Sequence, residues 1–241
     1  MIPNAMRIAG ARSIGIVVAL PAEARTLDAL HTSNIDIVVT GPGPALAAAG
    51  AAALIARGAG ALLSWGTSGA LDAELRAGTL VLAESVRDEK GCIYPSDEAW
   101  LRHVEVVLAG LQPARATCAT SALPVGGVEE KHMLARASGC GAVDMEAAAV
   151  ASTAAAHALP FLAIRSIVDP VDCELPHCVL ASLDPSGKPR LGALLSTLLR
   201  RPWELGGLLR LALHFNTALR RLRQAARLLS NATQPGTEIN R

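Results

Sequence analysis

Aromatic side chains are nearly missing: three Trp, two Phe and one Tyr make up 2% of the 241 residues. Such a chain offers little on which bases could stack, and no nucleic-acid partner is expected. Charge is also scarce, at 18% with a net value of +1, while 51% of the residues are hydrophobic. That balance excludes a disordered chain. The five cysteines are an odd number in a chain too long to need disulfide staples, so all are read as reduced thiols in a cytosolic protein. Cys173, His177 and Cys178 lack a second pair with ligand spacing, so no metal is expected. No apolar run reaches the roughly 18 to 20 residues of a membrane span. Arg7 and Arg12 precede the short run Ile14–Leu20, but Pro21-Ala22-Glu23 follows at once. A strand entering a helix fits this better than a secretion signal.

What is present alternates. Short β-type runs at Ile14–Leu20, Ile35–Thr40, Ala61–Trp65, Thr79–Ser85, Arg115–Thr120 and Phe161–Val168 are separated by alanine-rich stretches. Of these, Pro44–Arg57, Glu129–Ala137 and Met145–Ala158 have helical composition. Near-continuous apolar strands between helices predict a three-layer α/β fold with a mixed, mostly parallel sheet flanked by helices. Ligands in such folds bind beyond the carboxyl ends of strands, which selects Pro21–Glu23, Gly41–Pro44, Gly66–Ala70 and Asp169–Asp172 as site loops. We divide the chain into a catalytic domain, 1–184, and a helical extension of it, 185–241, after the turn signal Asp184-Pro185-Ser186-Gly187.

That extension has ten Lys or Arg against two acidic residues, leaving it +8 and the preceding chain −7. Leu208, Leu211, Phe215, Leu219, Leu222, Ala226 and Leu229 recur at helical spacing, with Arg210, His214, Thr217, Arg221 and Gln224 opposite. This is an amphipathic helix with a basic face. It suits either the core or a neighbouring subunit, or else a membrane surface.

Three segments carry chemistry. Glu23 opens the helix after the first strand, where a carboxylate is commonly a cap-region charge and can also serve as a base. The small residues of GPGPALAAAG and SWGTSGAL let a ligand approach the backbone, although neither string is a dinucleotide or nucleotide-phosphate fingerprint. In VDMEAAAVASTAAAHALPFLAIRSIVDPVD, Asp144 and Glu146 flank Met145, and a strand then delivers Asp169 to its edge. A carboxylate holds a vicinal diol well, and a protonated one can donate to a leaving base.

In order and spacing these segments resemble the purine nucleoside phosphorylase and nucleosidase superfamily, in particular its methylthioadenosine/S-adenosylhomocysteine nucleosidase branch. VDMEAAAVA resembles the branch's VEMEA helix, RSIVDPVD its R-A-I-S-D-x-A-D strand end, and SWGTSGALDAELRAGTLVLAE its N-T-G-S-A-G-G-L segment. The resemblance covers Ile14 to Asp172. It implies that Glu23 activates water, that Met145 and Glu146 hold the ribose, and that Asp169 protonates or hydrogen-bonds N7 of the departing purine. Thr67, Ser68 and Gly69 would line the sugar and nucleophile site, with Asp144 also in the substrate site. Val168 stands where a serine is usual, and Leu123 where an aromatic usually stacks on adenine. Gly41, Gly43, Ser64 and Gly66 would surround the nucleophile or phosphate, with Ser64 at a position where phosphorylases use arginine.

The segment LDPSGKPRLGALLSTLLRRPWELGGLLRLALHF is similar to the hopanoid-associated phosphorylases. That similarity implies adenosylhopane as the nucleoside-lipid substrate, with adenine released to give ribosylhopane or phosphoribosylhopane. It also implies no cofactor beyond inorganic phosphate as a co-substrate, and a homo-oligomer, the dimer preferred. The location would be cytoplasmic, with peripheral contact at the inner membrane surface through the tail. Water and phosphate both remain open as nucleophile. Methylthioadenosine, S-adenosylhomocysteine, a plain purine nucleoside and a catalytically silent nucleoside-binding protein remain the alternatives. If the tail serves only a membrane, a chain ending at Asp184 should still turn over a small water-soluble nucleoside.

Overall fold

The computed structural model describes residues 13–30, 34–181, 196–197 and 199–231. The expected turn at 184–187, and the domain boundary with it, lies outside the described residues. So do Arg7, Arg12 and residues 232–241.

Eight strands form the sheet: β1 (Ile14–Val18), β2 (Ile35–Val39), β3 (Leu62–Ala70), β4 (Leu80–Arg87), β5 (Ile93–Pro95), β6 (Ala114–Thr120), β7 (Ala142–Asp144) and β8 (Phe161–Asp169). The helices are α1 (Pro21–Ala24), α2 (Pro44–Ala56), α3 (Glu98–Leu108), α4 (Val128–Ser138), α5 (Ala147–Ala156), α6 (His177–Leu180) and α7 (Leu205–Asn231). A 3-10 helix, Arg25–Leu30, continues α1. Five strand pairings are parallel and three antiparallel, so the sheet is mixed and mostly parallel as expected. It also closes on itself. β3 pairs with β8, β8 with β4, β4 with β6, β6 with β7 and β7 with β3, while β1 and β2 extend from β3. Closure leaves few strand edges and brings the ends of β3, β7 and β8 around one point.

Side chains alternate across a strand, and here both faces are apolar. Ile14, Ile16, Val18, Leu63, Trp65, Leu80, Leu82, Leu162 and Ile164 enter one core, with Leu27, Trp100, Leu101 and Val104. Val17, Leu62, Val81, Ala83, Phe161, Ala163 and Ile167 enter the other, covered by Ala47, Ala51 and Leu54 of α2 and Ala147, Val150, Ala151 and Ala154 of α5. Three expectations change in detail. β3 continues through Thr67, Ser68 and Gly69, so Gly66–Ala70 is a strand end held by β8 rather than a loop. Asp144 ends a short strand, and the helix after it starts at Ala147, two positions later than Met145. The hairpin partner β5 and the helix α3 were not anticipated; α3 is capped by Asp97, whose carboxylate accepts from Trp100 N at 2.8 Å.

The basic helix is part of the domain. Ala218, Leu222, Ala225, Ala226 and Leu229 of α7 are fully buried, and Leu222, Ala225, Ala226 and Leu229 join the first core. Cutting the chain at Asp184 would expose that core, so the expectation that such a chain keeps turnover is corrected. It should instead be unfolded or insoluble. In the full chain, Leu222→Ala should lower the unfolding free energy by about 2–5 kcal/mol, measurable as a shift of the urea midpoint.

Candidate active site

The strand ends meet at a cleft of about 450 Å³. Its polar wall contains Glu23, Thr67, Ser68, Gly69, Asp144, Met145, Glu146 and Asp169, with Leu123 and Val168 beside them. Every residue assigned to catalysis or substrate binding from the sequence therefore comes to one place, from β1, β3, β6, β7 and β8.

Glu23 is both a cap and a cleft residue. Pro21 starts the one-turn helix α1, and Glu23 reaches back so that Leu20 N donates to its Oε2 at 3.0 Å. Across the cleft, Thr67 N and Thr67 Oγ1 each donate to Oε1 at 2.8 Å. Only a glycine permits this approach from β3: a Cβ on Gly66 would stand 2.8 Å from Oε1. The carboxyl is 3% exposed, and burial raises its pKa against the pull of Thr67.

Asp169, the last residue of β8, is treated similarly. A Cβ on Gly69 would lie 2.9 Å from its Oδ2, so glycine again admits a carboxylate beside the strand. Lys131 Nζ, fully buried on α4, pairs with that oxygen at 2.8 Å and donates to Pro170 O at 3.0 Å and Cys173 O at 2.7 Å. Burial raises the pKa of Asp169 and outweighs the lowering by Lys131. Nothing in the sequence around Lys131 signalled its role, because a lysine on a polar helix reads as solvated until the fold buries it.

Asp144 and Arg165 form a buried ion pair beneath the cleft. Arg165 Nε donates to Asp144 Oδ2 at 2.8 Å, and Nη2 lies 2.6 Å from the same oxygen. Nη2 also donates to Ser64 Oγ at 2.7 Å, and Thr120 Oγ1 donates to Asp144 Oδ1 at 2.7 Å. Glu146 N and Ala147 N donate to Oδ1 at 3.3 and 3.2 Å, so Asp144 also fixes the start of α5. With its side chain shut off from solvent, Asp144 positions the wall rather than presenting an oxygen to substrate. Ser64 is likewise inside the protein, 1% exposed, and does not face a nucleophile. Arg165 is committed to Asp144 and Ser64 and does not reach the cleft.

Glu146 stands at the mouth, partly buried. Gly43 N donates to its Oε1 at 2.8 Å, and Oε2 has no protein partner among the described residues. Burial, then the neighbouring Asp144, push its pKa to about 7. Pro42 lines the cleft, whereas Gly41, Gly43 and Gly66 stand behind it and shape its wall. Ser68 Oγ is buried in this wall with no hydrogen-bond partner, an arrangement that calls for a partner from whatever occupies the cleft.

The other wall was missed from sequence. Leu175 precedes α6, which supplies Val179 and Leu180, while α7 supplies Leu208, Leu211, Ala212 and Phe215. The helical stripe of Leu208, Leu211 and Phe215 was visible, but not that its first turns cover a cleft while its last turns fill the core. No Lys, Arg or His lines the cleft among the described residues. Among those residues there is also no cluster suited to a metal ion, and no helix long and apolar enough to cross a membrane.

A closed mixed sheet with three carboxylates at its strand ends defines an enzyme of the nucleoside phosphorylase and nucleosidase class. The phosphorylase superfamily model matches residues 24–200, and the chain belongs to that family. No curated protein matches it in sequence. Among solved structures it is similar to the futalosine hydrolase of Helicobacter pylori strain 26695, at 15% identity and TM-score 0.70, covering 91% of this chain and 97% of that one. It is similar to the 5′-methylthioadenosine/S-adenosylhomocysteine nucleosidase of Neisseria meningitidis in complex with methylthio-immucillin-A, at 15% identity and TM-score 0.69, covering 91% and 99%. The S-adenosylhomocysteine nucleosidase of Streptococcus pyogenes, in complex with 5-methylthiotubericidin, shares 18% identity with a TM-score of 0.69, covering 92% and 98%. At these identities the likeness is one of fold.

The raised carboxyl of Glu146 has a consequence for stability. Its folded pKa lies above its ordinary value of 4.5, so the folded state binds more protons than the unfolded state between about 4.5 and about 7. The unliganded protein should therefore lose stability as pH rises through that window. Glu146→Gln should flatten the loss, as read from denaturation midpoints across the range.

Proposed function

We propose that the protein hydrolyses the N-glycosidic bond of an adenosine-type nucleoside carrying a large apolar 5′ substituent, with adenosylhopane as the substrate of choice and adenine as the product. The observation that carries this reading is the division of the cleft, with carboxylates on one wall, aliphatic side chains of α6 and α7 on the other, and no cationic residue on either among the described residues.

Cleavage of an N-glycosidic bond passes through a ribosyl group with oxocarbenium character. Fixed carboxylates around the sugar favour that positive charge and disfavour a phosphate dianion in the same space. This supports water as the nucleophile. Glu23, anchored through Leu20 and Thr67, is set to take the proton from water as it attacks the anomeric carbon. Glu146 accepts from the 2′ and 3′ hydroxyls through the oxygen that Gly43 leaves free. Asp169, buried and raised in pKa, supplies the proton or hydrogen bond that lets the purine leave at N7. Met145 and Val168 pack on the ribose and base, and Leu123 gives an aliphatic contact in place of a stacked ring.

The apolar wall supports the lipid-like 5′ group, because aliphatic side chains gain from contact with hydrocarbon and gain nothing from a charged amino-acid tail. The test is adenine release from adenosylhopane in detergent, with and without phosphate, beside methylthioadenosine. Release from the hopanoid without phosphate is expected. Release from methylthioadenosine alone would reassign the protein as an ordinary nucleosidase, and strict dependence on phosphate would make it a phosphorylase. In the same assay Asp169→Asn and Glu23→Gln should each reduce turnover by about 10²- to 10⁴-fold while the thermal transition remains cooperative.

A further inference from the structure

α7 carries more apolar surface than the cleft and the core use. Leu205, Leu209 and Leu213 are 46%, 57% and 68% exposed. Spaced four apart, they form one ridge, each turned about 40° from the last. Trp203, 72% exposed, stands just before the helix, and Leu199, 84% exposed, precedes it. The residues that line the cleft, Leu208, Leu211, Ala212 and Phe215, occupy the adjacent face of the same helical turns. One helix thus separates the cleft from an exposed apolar ridge.

Further along, the face of the ridge changes character. The positions that continue it are Asn216, Arg220 and Arg227, all exposed. Beside them a shallow basin of about 450 Å³ is lined by Thr79, Gln112, Thr217, Arg220, Arg221 and Gln224. Arg221 Nε donates to Gly78 O at 3.3 Å, which holds its guanidinium at the basin, and Arg220 beside it is exposed. Arg200, Arg201 and Arg210 are exposed around the start of the ridge. An aliphatic ridge with an indole at one end and arginines around it matches the interface of an anionic bilayer, where acyl chains and phosphates lie in adjacent layers.

We propose that the Trp203–Leu213 ridge docks the enzyme on an anionic lipid bilayer, with the Arg220–Arg221 basin receiving a lipid phosphate. Docked in this way, the cleft lies one helix away from the acyl layer, and an apolar nucleoside reaches the carboxylates by passing around α7. Only this last step rests on the substrate reading given above; docking itself needs no substrate.

The experiment is co-sedimentation of the full-length protein with vesicles of phosphatidylcholine containing phosphatidylglycerol, and with vesicles of phosphatidylcholine alone, in the absence of nucleoside. The wild type should bind the anionic vesicles, and binding should weaken with added salt. Leu209→Glu/Leu213→Glu should bind at least about tenfold more weakly, since two leucines that would enter the acyl layer are replaced by charges. Leu209→Ser/Leu213→Ser should also weaken binding. Arg220→Glu should lower binding to anionic vesicles and leave the weaker binding to phosphatidylcholine unchanged. Melting curves and turnover of a water-soluble nucleoside, both unchanged in the ridge variants, would show that the site is intact. Wild-type protein that stays in the supernatant with anionic vesicles would overturn the proposal, as would ridge variants that bind as tightly as wild type. A wild-type oligomer that the ridge variants dissociate, without vesicle binding, would overturn it in favour of a second copy of the chain on this face.

Discussion

Arg165 and Asp144 meet in the apolar core between the sheet and α5, and four elements of the cleft are tied to that meeting. Two charges removed from water cost several kcal/mol each unless every lone pair and proton is used. Here Ser64 of β3, Thr120 of β6 and the first backbone amides of α5 complete the set. The pair therefore sets the spacing of β3, β6, β7 and β8 at the ends where the cleft opens. Glu146 stands where it does because Asp144 holds its amide, and Asp144 stands where it does because Arg165 and Thr120 hold its two oxygens. Loss of either partner would leave the other charged and buried, a far larger perturbation than loss of any one contact with substrate.

The carboxylates of the cleft obey the same constraint more loosely. Among the described residues Glu23 is held by donors without a paired cation, Asp169 has Lys131, and Glu146 has a single amide. This ordering runs from the floor of the cleft to its mouth. Groups that hold the architecture are fully compensated, while Glu23, Glu146 and Asp169, which line the cleft, have raised pKa values. The two glycines of β3, Gly66 and Gly69, make the arrangement sterically possible because they let carboxylates lie directly against a strand.

Much of this was legible in the sequence. The short apolar runs located six of the eight strands, and the residues after them, Glu23, Thr67–Gly69 and Asp169, do converge, together with Glu146 at the start of the small-residue helix. What stayed hidden were side chains whose partners are far away in sequence. Lys131 lies in a polar helix and Arg165 in an apolar strand, and neither pattern says whom a charge will meet. Ser64 was placed in the site by its alignment with a phosphorylase arginine position and Asp144 as a carboxylate flanking Met145, but strand alternation turns Ser64 inward to Arg165, and Thr120 and Arg165 hold the oxygens of Asp144. The C-terminal stripe of Leu208 to Leu229 was read as one face with one purpose. Its period is continuous because helix geometry is continuous, whereas what lies against it changes from cleft to core along its length.

That change gives α7 two anchorages of different kinds. Leu222, Ala225, Ala226 and Leu229 fix one end in close-packed core, while Leu208, Leu211 and Phe215 at the other end line the cleft. The near end is tied as well: Glu204, just before the helix, accepts from Cys178 N at 2.6 Å, and a Cβ on Gly207 would lie 3.2 Å from Pro176. α7 is therefore a crossbeam, and the packing that sets its far end in the core also sets the line along which its near end stands opposite the carboxylates.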